Sequence, residues 1–130
     1  MHRSYEACEA GTVADGLQDL TGGIPSSVDL DEAGREPGML WKLLVSNHKA
    51  GYMMGAGTPQ GSDRDVIQGI AQGHAYSILD VRDVQGERLL QLRNPWGRTE
   101  WQGKYGSAWM RRSASSKLKR LFTHSFLSCY

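Results

Sequence analysis

Two runs of alternating residues around a short polar turn constrain this chain more than any other feature. His74 to Val84 alternates around Tyr76, Ile78 and the Asp80/Val81 pair, and Arg88 to Arg93 alternates Leu90 and Leu92 on one face. Asp83-Val84-Gln85-Gly86-Glu87 lies between them, so the two runs predict an antiparallel hairpin. Asn94-Pro95-Trp96-Gly97 follows directly. Pro95 has no N–H to give to a ladder and therefore closes the second strand.

Helical patterns come earlier. Ala10, Val13, Leu17 and Leu20 are spaced by three and four, which predicts a helix over Glu6–Leu20. Thr12 can cap it, with Asp15 in place of the usual Glu of a capping box; Gly22-Gly23 and Pro25 stop it. A second helix is predicted over Pro37–His48, with Met39, Leu40, Leu43 and Leu44 as its apolar stripe. Tyr52 to Ala56 reads as a short strand whose small residues suit close packing. Residues 57 to 73 have no clear period and are rich in Gly, Pro, Ser, Asp and Gln. Seventeen such residues form a long connection for a compact domain, and loops of that kind are often lids or binding loops. Trp101 and Tyr105 suggest one further extended piece. Helices first and strands after give an α+β class.

Composition removes several function classes. Fifteen Lys+Arg against 14 Asp+Glu leave a net charge of +1, which supplies no electrostatic reason for a nucleic-acid or anionic-membrane partner. No apolar run approaches the ~20 residues of a membrane span, and no secretory signal is visible after Met1. Two cysteines, Cys8 and Cys129, are no disulfide framework and point to a reducing compartment, the cytoplasm. Arg111, Arg112, Lys117, Lys119 and Arg120 make the end of the chain basic, a pattern that solvated termini commonly show.

Of the four histidines, His2 is terminal, His48 ends a helix and His124 lies in the basic tail. No pair has metal-ligand spacing and there is no CxxC, which disfavours a zinc site. His74 stands between the long loop and the first hairpin strand, and Asn94 ends the second. A tight hairpin makes them neighbours. An Asn oxygen that accepts from an imidazole N–H fixes the ring's tautomer and leaves its other nitrogen as a base. Those are two members of a Cys-His-Asn nucleophilic triad. A histidine satisfied within the core fits the same spacing.

The wording of these motifs goes further. Gly73-His74-Ala75-Tyr76-Ser77, then Leu92-Arg93-Asn94-Pro95-Trp96-Gly97 and Glu100-Trp101-Gln102-Gly103, resemble the calpain family of cysteine proteases. Ala14-Asp15-Gly16-Leu17-Gln18-Asp19-Leu20-Thr21-Gly22-Gly23 resembles the helix that enters the second half of that family's protease core. The likeness covers roughly residues 5 to 105, in the family's own order.

The resemblance implies a papain-like half domain, an antiparallel sheet with flanking helices, over residues 1–110, with 111–130 set apart as a basic tail. It implies His74 as general base, Asn94 as the residue that orients it, Trp96 as a shield beside them, and 57–73 as a mobile loop over the cleft. It implies calcium as cofactor, with Glu100 at one acidic ligand position and Ser107 near where another acid would stand. The nucleophilic Cys and the oxyanion-hole Gln belong to a first half expected before residue 1, so Cys8 is not the nucleophile. The expected function is a fragment of a calcium-dependent intracellular cysteine endopeptidase, inactive alone, whose partners are protein substrates and the Cys-bearing half. The alternatives are a non-catalytic interaction module derived from a protease half and a papain-like half without calcium dependence.

Overall fold

The computed structural model describes residues 11–30, 37–62, 64–106 and 127–128. Expectations placed on Cys8, Ala10, Ser107 and the basic residues 111–120 lie outside that range.

Helix α1 runs Val13–Thr21. Thr12 Oγ1 accepts the Asp15 N–H at 3.1 Å, and the Asp15 carboxylate accepts the Thr12 N–H at 3.1 Å. This is the capping box read from the sequence, and a cap of this kind is worth ~0.5–2 kcal/mol. Because Gly11 and Thr12 are non-helical, the helix starts at Val13 and does not run on unbroken from Glu6. At the other end Gly22 is left-handed (φ 69°) and its N–H reaches Gln18 O at 2.7 Å. Helix α2, Pro37–Lys49, ends on His48 and Lys49, where cations suit the dipole.

Strand β1 (Met54–Gly57), two short strands β2 (Val66–Ile67) and β3 (Ile70–Ala71), and the long hairpin of β4 (Ala75–Val84) and β5 (Glu87–Arg93) follow. The last strand, β6 (Leu127–Ser128), pairs with β5. The main sheet has the order β1-β4-β5-β6 and is antiparallel throughout. With the helices this gives an α+β fold, as expected. Two residues of the segment 111–130 are therefore sheet residues.

The hairpin turns on Gln85 (φ 58°) and Gly86 (φ 85°). Two successive positive φ values match the right-handed twist of the strands they join. From Val84↔Glu87 the pairing runs regularly to Asp80↔Gln91, and then Ile78 pairs with Leu92. Leu79 is thus an extra residue on β4, a β-bulge. The Val81 N–H beside it is taken by Asp80 Oδ1 at 2.8 Å. His48 Nε2 lies 3.1 Å from the same oxygen, so α2 is tied to the strand at the bulge.

Small residues in β1 have a specific cause. Gly55 lies against Val13 of α1, and a Cβ there would run into the Val13 side chain. The core of the described residues consists of Ala71, Tyr76, Val81, Leu89 and Tyr105, with Leu89 fully buried.

Two expectations need correction. Residues 57–73 are not without regular structure: β2 and β3 form a small hairpin through Gln68 and Gly69, both at positive φ. Trp101 to Tyr105 is not extended. Trp101 Nε1 donates to Lys104 O at 2.8 Å, Gly106 N–H returns to Gly103 O at 3.1 Å, and Tyr105 is left-handed at φ 68°. Gly103 and Gly106 let the chain curl tightly around the indole, which a strand could not do. Lys104 also pairs with Glu87 at 2.7 Å. That carboxylate, then Tyr105, raises the ammonium's pKa above its ordinary range, though so exposed a pair adds little stability.

Candidate active site

His74 immediately precedes β4, and Asn94 immediately follows β5. Near the open end of the hairpin Ser77 pairs with Arg93, so the next opposed positions are Tyr76 and Asn94. His74 lies two residues further on and hence on the same face as both. The bulge decides this. Continued without Leu79 as an extra residue, the turn-end register would oppose Asn94 to Ser77, on the face away from His74, because a one-residue slip exchanges the faces.

The contact is direct: His74 Nε2 lies 2.9 Å from Asn94 Oδ1. Two backbone groups hold the Asn94 amide. Its Oδ1 accepts the Trp96 N–H at 3.0 Å, and its Nδ2 donates to Arg98 O and to Thr99 Oγ1, the latter at 3.1 Å. A backbone N–H can only donate and a carbonyl can only accept, so the amide oxygen must face His74. His74 Nε2 then carries the proton, and Nδ1 keeps a lone pair available as a base. Thr99 is held at φ 58°. For a β-branched residue this is a costly conformation, of a kind found concentrated at functional sites.

Trp96 and Tyr76 flank the imidazole. The Trp96 ring centroid is 3.9 Å from that of His74 at a 40° tilt, and Trp96 stays 46% exposed. Tyr76 meets His74 edge-on, centroids 5.0 Å apart and planes at 87°. Its hydroxyl accepts the buried Ala71 N–H at 2.9 Å. The structure thus brings together His74, Asn94 and Trp96 from the sequence reading and adds Tyr76, Thr99 and Thr58, whose Oγ1 accepts the His74 N–H at 2.9 Å. Alternation alone could have found Tyr76. Thr58 and Thr99 carry no local signal.

Glu100 is exposed and follows this cluster on the chain, with its backbone against Gly69 of the β2–β3 turn. Among the described residues no group of three or more His, Cys, Asp or Glu side chains converges on a metal position.

A comparison with protein families matches residues 1–125 to the calpain family cysteine protease model. The chain belongs to the calpain family. The calpain-type cysteine protease DEK1 of Arabidopsis thaliana is 47% identical over 114 residues, which is 83% of this chain and 5% of that protein. Human calpain-14 is 34% identical over 122 residues, 88% of this chain and 17% of that protein. The catalytic subunit of rat calpain-1 is 34% identical over 110 residues, 78% of this chain and 15% of its own length. This calpain-family chain therefore spans a small part of those relatives.

Proposed function

We propose that this chain is the part of a calpain-type cysteine endopeptidase that carries the general base and its orienting partner. The observation that supports it is the fixed Asn94 amide, which holds the proton of His74 on Nε2 at 2.9 Å and leaves Nδ1 free. In a complete core a cysteine thiol would give its proton to Nδ1. The thiolate would attack the scissile carbonyl, and the resulting imidazolium would protonate the leaving amine, which departs and leaves a thioester. Water, deprotonated by the same nitrogen, would hydrolyse that thioester. Asn94 keeps the ring in place through both steps, and Trp96 covers its hydrogen bond from water, as an indole face does well. Calpain membership supports the cysteine as nucleophile.

The nucleophile is assigned to a Cys-bearing half outside this sequence. Without it the chain should have no peptidase activity, with or without calcium, since a triad lacking its nucleophile loses nearly all its rate. Protein substrates, the Cys-bearing half as partner and a reducing, cytoplasmic setting complete the proposal. For calcium, Glu100 would supply one carboxylate. The test joins the Cys-bearing half of a calpain relative to this chain and follows cleavage of a fluorogenic peptide. His74→Ala should lower turnover by ~10²–10⁴. Turnover that survives His74→Ala, or cleavage by the isolated chain that survives Cys8→Ala, would refute the assignment.

A further inference from the structure

Thr58 faces His74 across the end of the β1–β4 ladder. Gly57 pairs with Ala75, so Thr58 and His74 are the next opposed positions, and the Thr58 N–H donates to His74 O at 3.0 Å. On the other side of that residue the His74 N–H donates to Thr58 Oγ1 at 2.9 Å. The hydroxyl is itself 2.9 Å from Ala71 O and 3.1 Å from His74 O. With one proton it serves one of those carbonyls at a time. Both backbone groups of His74 are therefore taken by a single residue, Thr58, one of them by its side chain.

The same hydroxyl closes the segment that leads to His74. Ala71 is fully buried, its C=O faces Thr58 and its N–H goes to the Tyr76 hydroxyl at 2.9 Å. Gly73 N–H reaches Pro59 O at 2.8 Å, and Gly73 sits at φ +56° against Gly61, where a Cβ would strike the Gly61 carbonyl. Residues 58–61 thus hold Ala71, Gly73 and His74 in the segment that leads into β4. Asn94 holds the tip of the imidazole, Trp96 and Tyr76 meet its ring, and Thr58 holds its backbone.

We propose that Thr58 is a positioning residue for His74: its hydroxyl sets the backbone from which the imidazole reaches Asn94, and couples the 58–73 loop to the base. This rests on the reading of His74 and Asn94 as base and orienter. A valine at position 58 preserves shape and removes the hydroxyl; a serine preserves the hydroxyl.

The full 130-residue chain, labelled with ¹⁵N, provides the test through the imidazole nitrogen shifts of His74 and the exchange rate of its amide. The native chain should show one neutral tautomer, protonated on Nε2, and Asn94→Ala should abolish it. Thr58→Val should relax His74 toward the mixed tautomers of free imidazole and speed its amide exchange about tenfold, the loss of one hydrogen bond. Thr58→Ser should match the native chain. Should the valine variant not fold, Thr58→Ala carries the same expectation. A hydroxyl-free variant that melts lower while keeping the single tautomer and slow exchange would overturn the proposal and leave the His74–Asn94 reading standing. Mixed tautomers in the native chain would overturn both. An Asn94→Ala chain that keeps its single tautomer would overturn the orienter role and the proposal that rests on it.

Discussion

Val13 rests on Gly55, and helix α1 approaches β1 as closely as it does because the glycine has no side chain. Gly55→Ala should cost about 1–3 kcal/mol, the usual penalty for overpacking. Val13→Ala removes the group that the new methyl strikes, so the double variant should be more stable than the two single costs predict. Denaturant melts of the four chains measure that coupling. Additive costs would mean that α1 is not seated on β1 through this contact.

Leu79 and Gln91 make opposite predictions from neighbouring places in one hairpin. Deleting Leu79 removes the bulge but leaves Ile78↔Leu92 directly after Asp80↔Gln91, so His74 and Asn94 should still meet. Deleting Gln91 shortens the other strand and adds to the mismatch. It should either enlarge the bulge or move Asn94 opposite Ile78, roughly 13 Å of strand from His74. Imidazole shifts of His74 distinguish the two. Loss of the single tautomer in the Leu79 deletion alone would contradict the register argument.

Trp96 is about half exposed although its ring lies on His74. Trp96→Ala should therefore cost less than the ~3–5 kcal/mol of emptying a buried aromatic site. In a core completed with a Cys-bearing half it should lower turnover more than folding. A melt showing the full core penalty, with turnover per folded molecule intact, would make Trp96 a packing residue only.

Gly69 has both a left-handed backbone (φ +89°) and the Glu100 carbonyl against its α-carbon. Any side chain there is strained and collides with backbone. Gly69→Ala should release the β2–β3 hairpin from residues 100–102, where the Gln102 N–H now donates to Gln68 O at 2.9 Å. Faster hydrogen exchange at the Gln102 amide, with Val81 and Leu89 amides unchanged, is the expected outcome. Unchanged exchange at Gln102 would mean that the hairpin is held elsewhere.

The sequence announces what is decided locally. Thr12 and Asp15 are three residues apart and cap one helix; Gln85-Gly86 lies between two alternating runs and turns one hairpin. His74 and Asn94 were legible as neighbours because a hairpin brings the ends of its strands together. That they share a face was not, since Leu79 is an ordinary strand residue and nothing beside it marks it as extra. The β2–β3 hairpin was hidden because its strands are two residues each and its turn is Gln68-Gly69 rather than Asn-Gly. Thr58 meets a residue sixteen positions away, beyond the reach of any periodicity. Trp101 misled the reading because its aromatic character suits a strand, whereas Gly103 and Gly106 decide the path around it.

The turn at Gln85-Gly86 stands roughly 25 Å of strand from the His74–Asn94 contact. Residues added near the tip in matched pairs, one to each strand, lengthen the hairpin and leave the meeting at its base untouched. A single residue added to one strand changes odd for even, and a bulge must then vanish or a second one form. Over evolutionary drift the length of this hairpin is a free variable, and its parity is not.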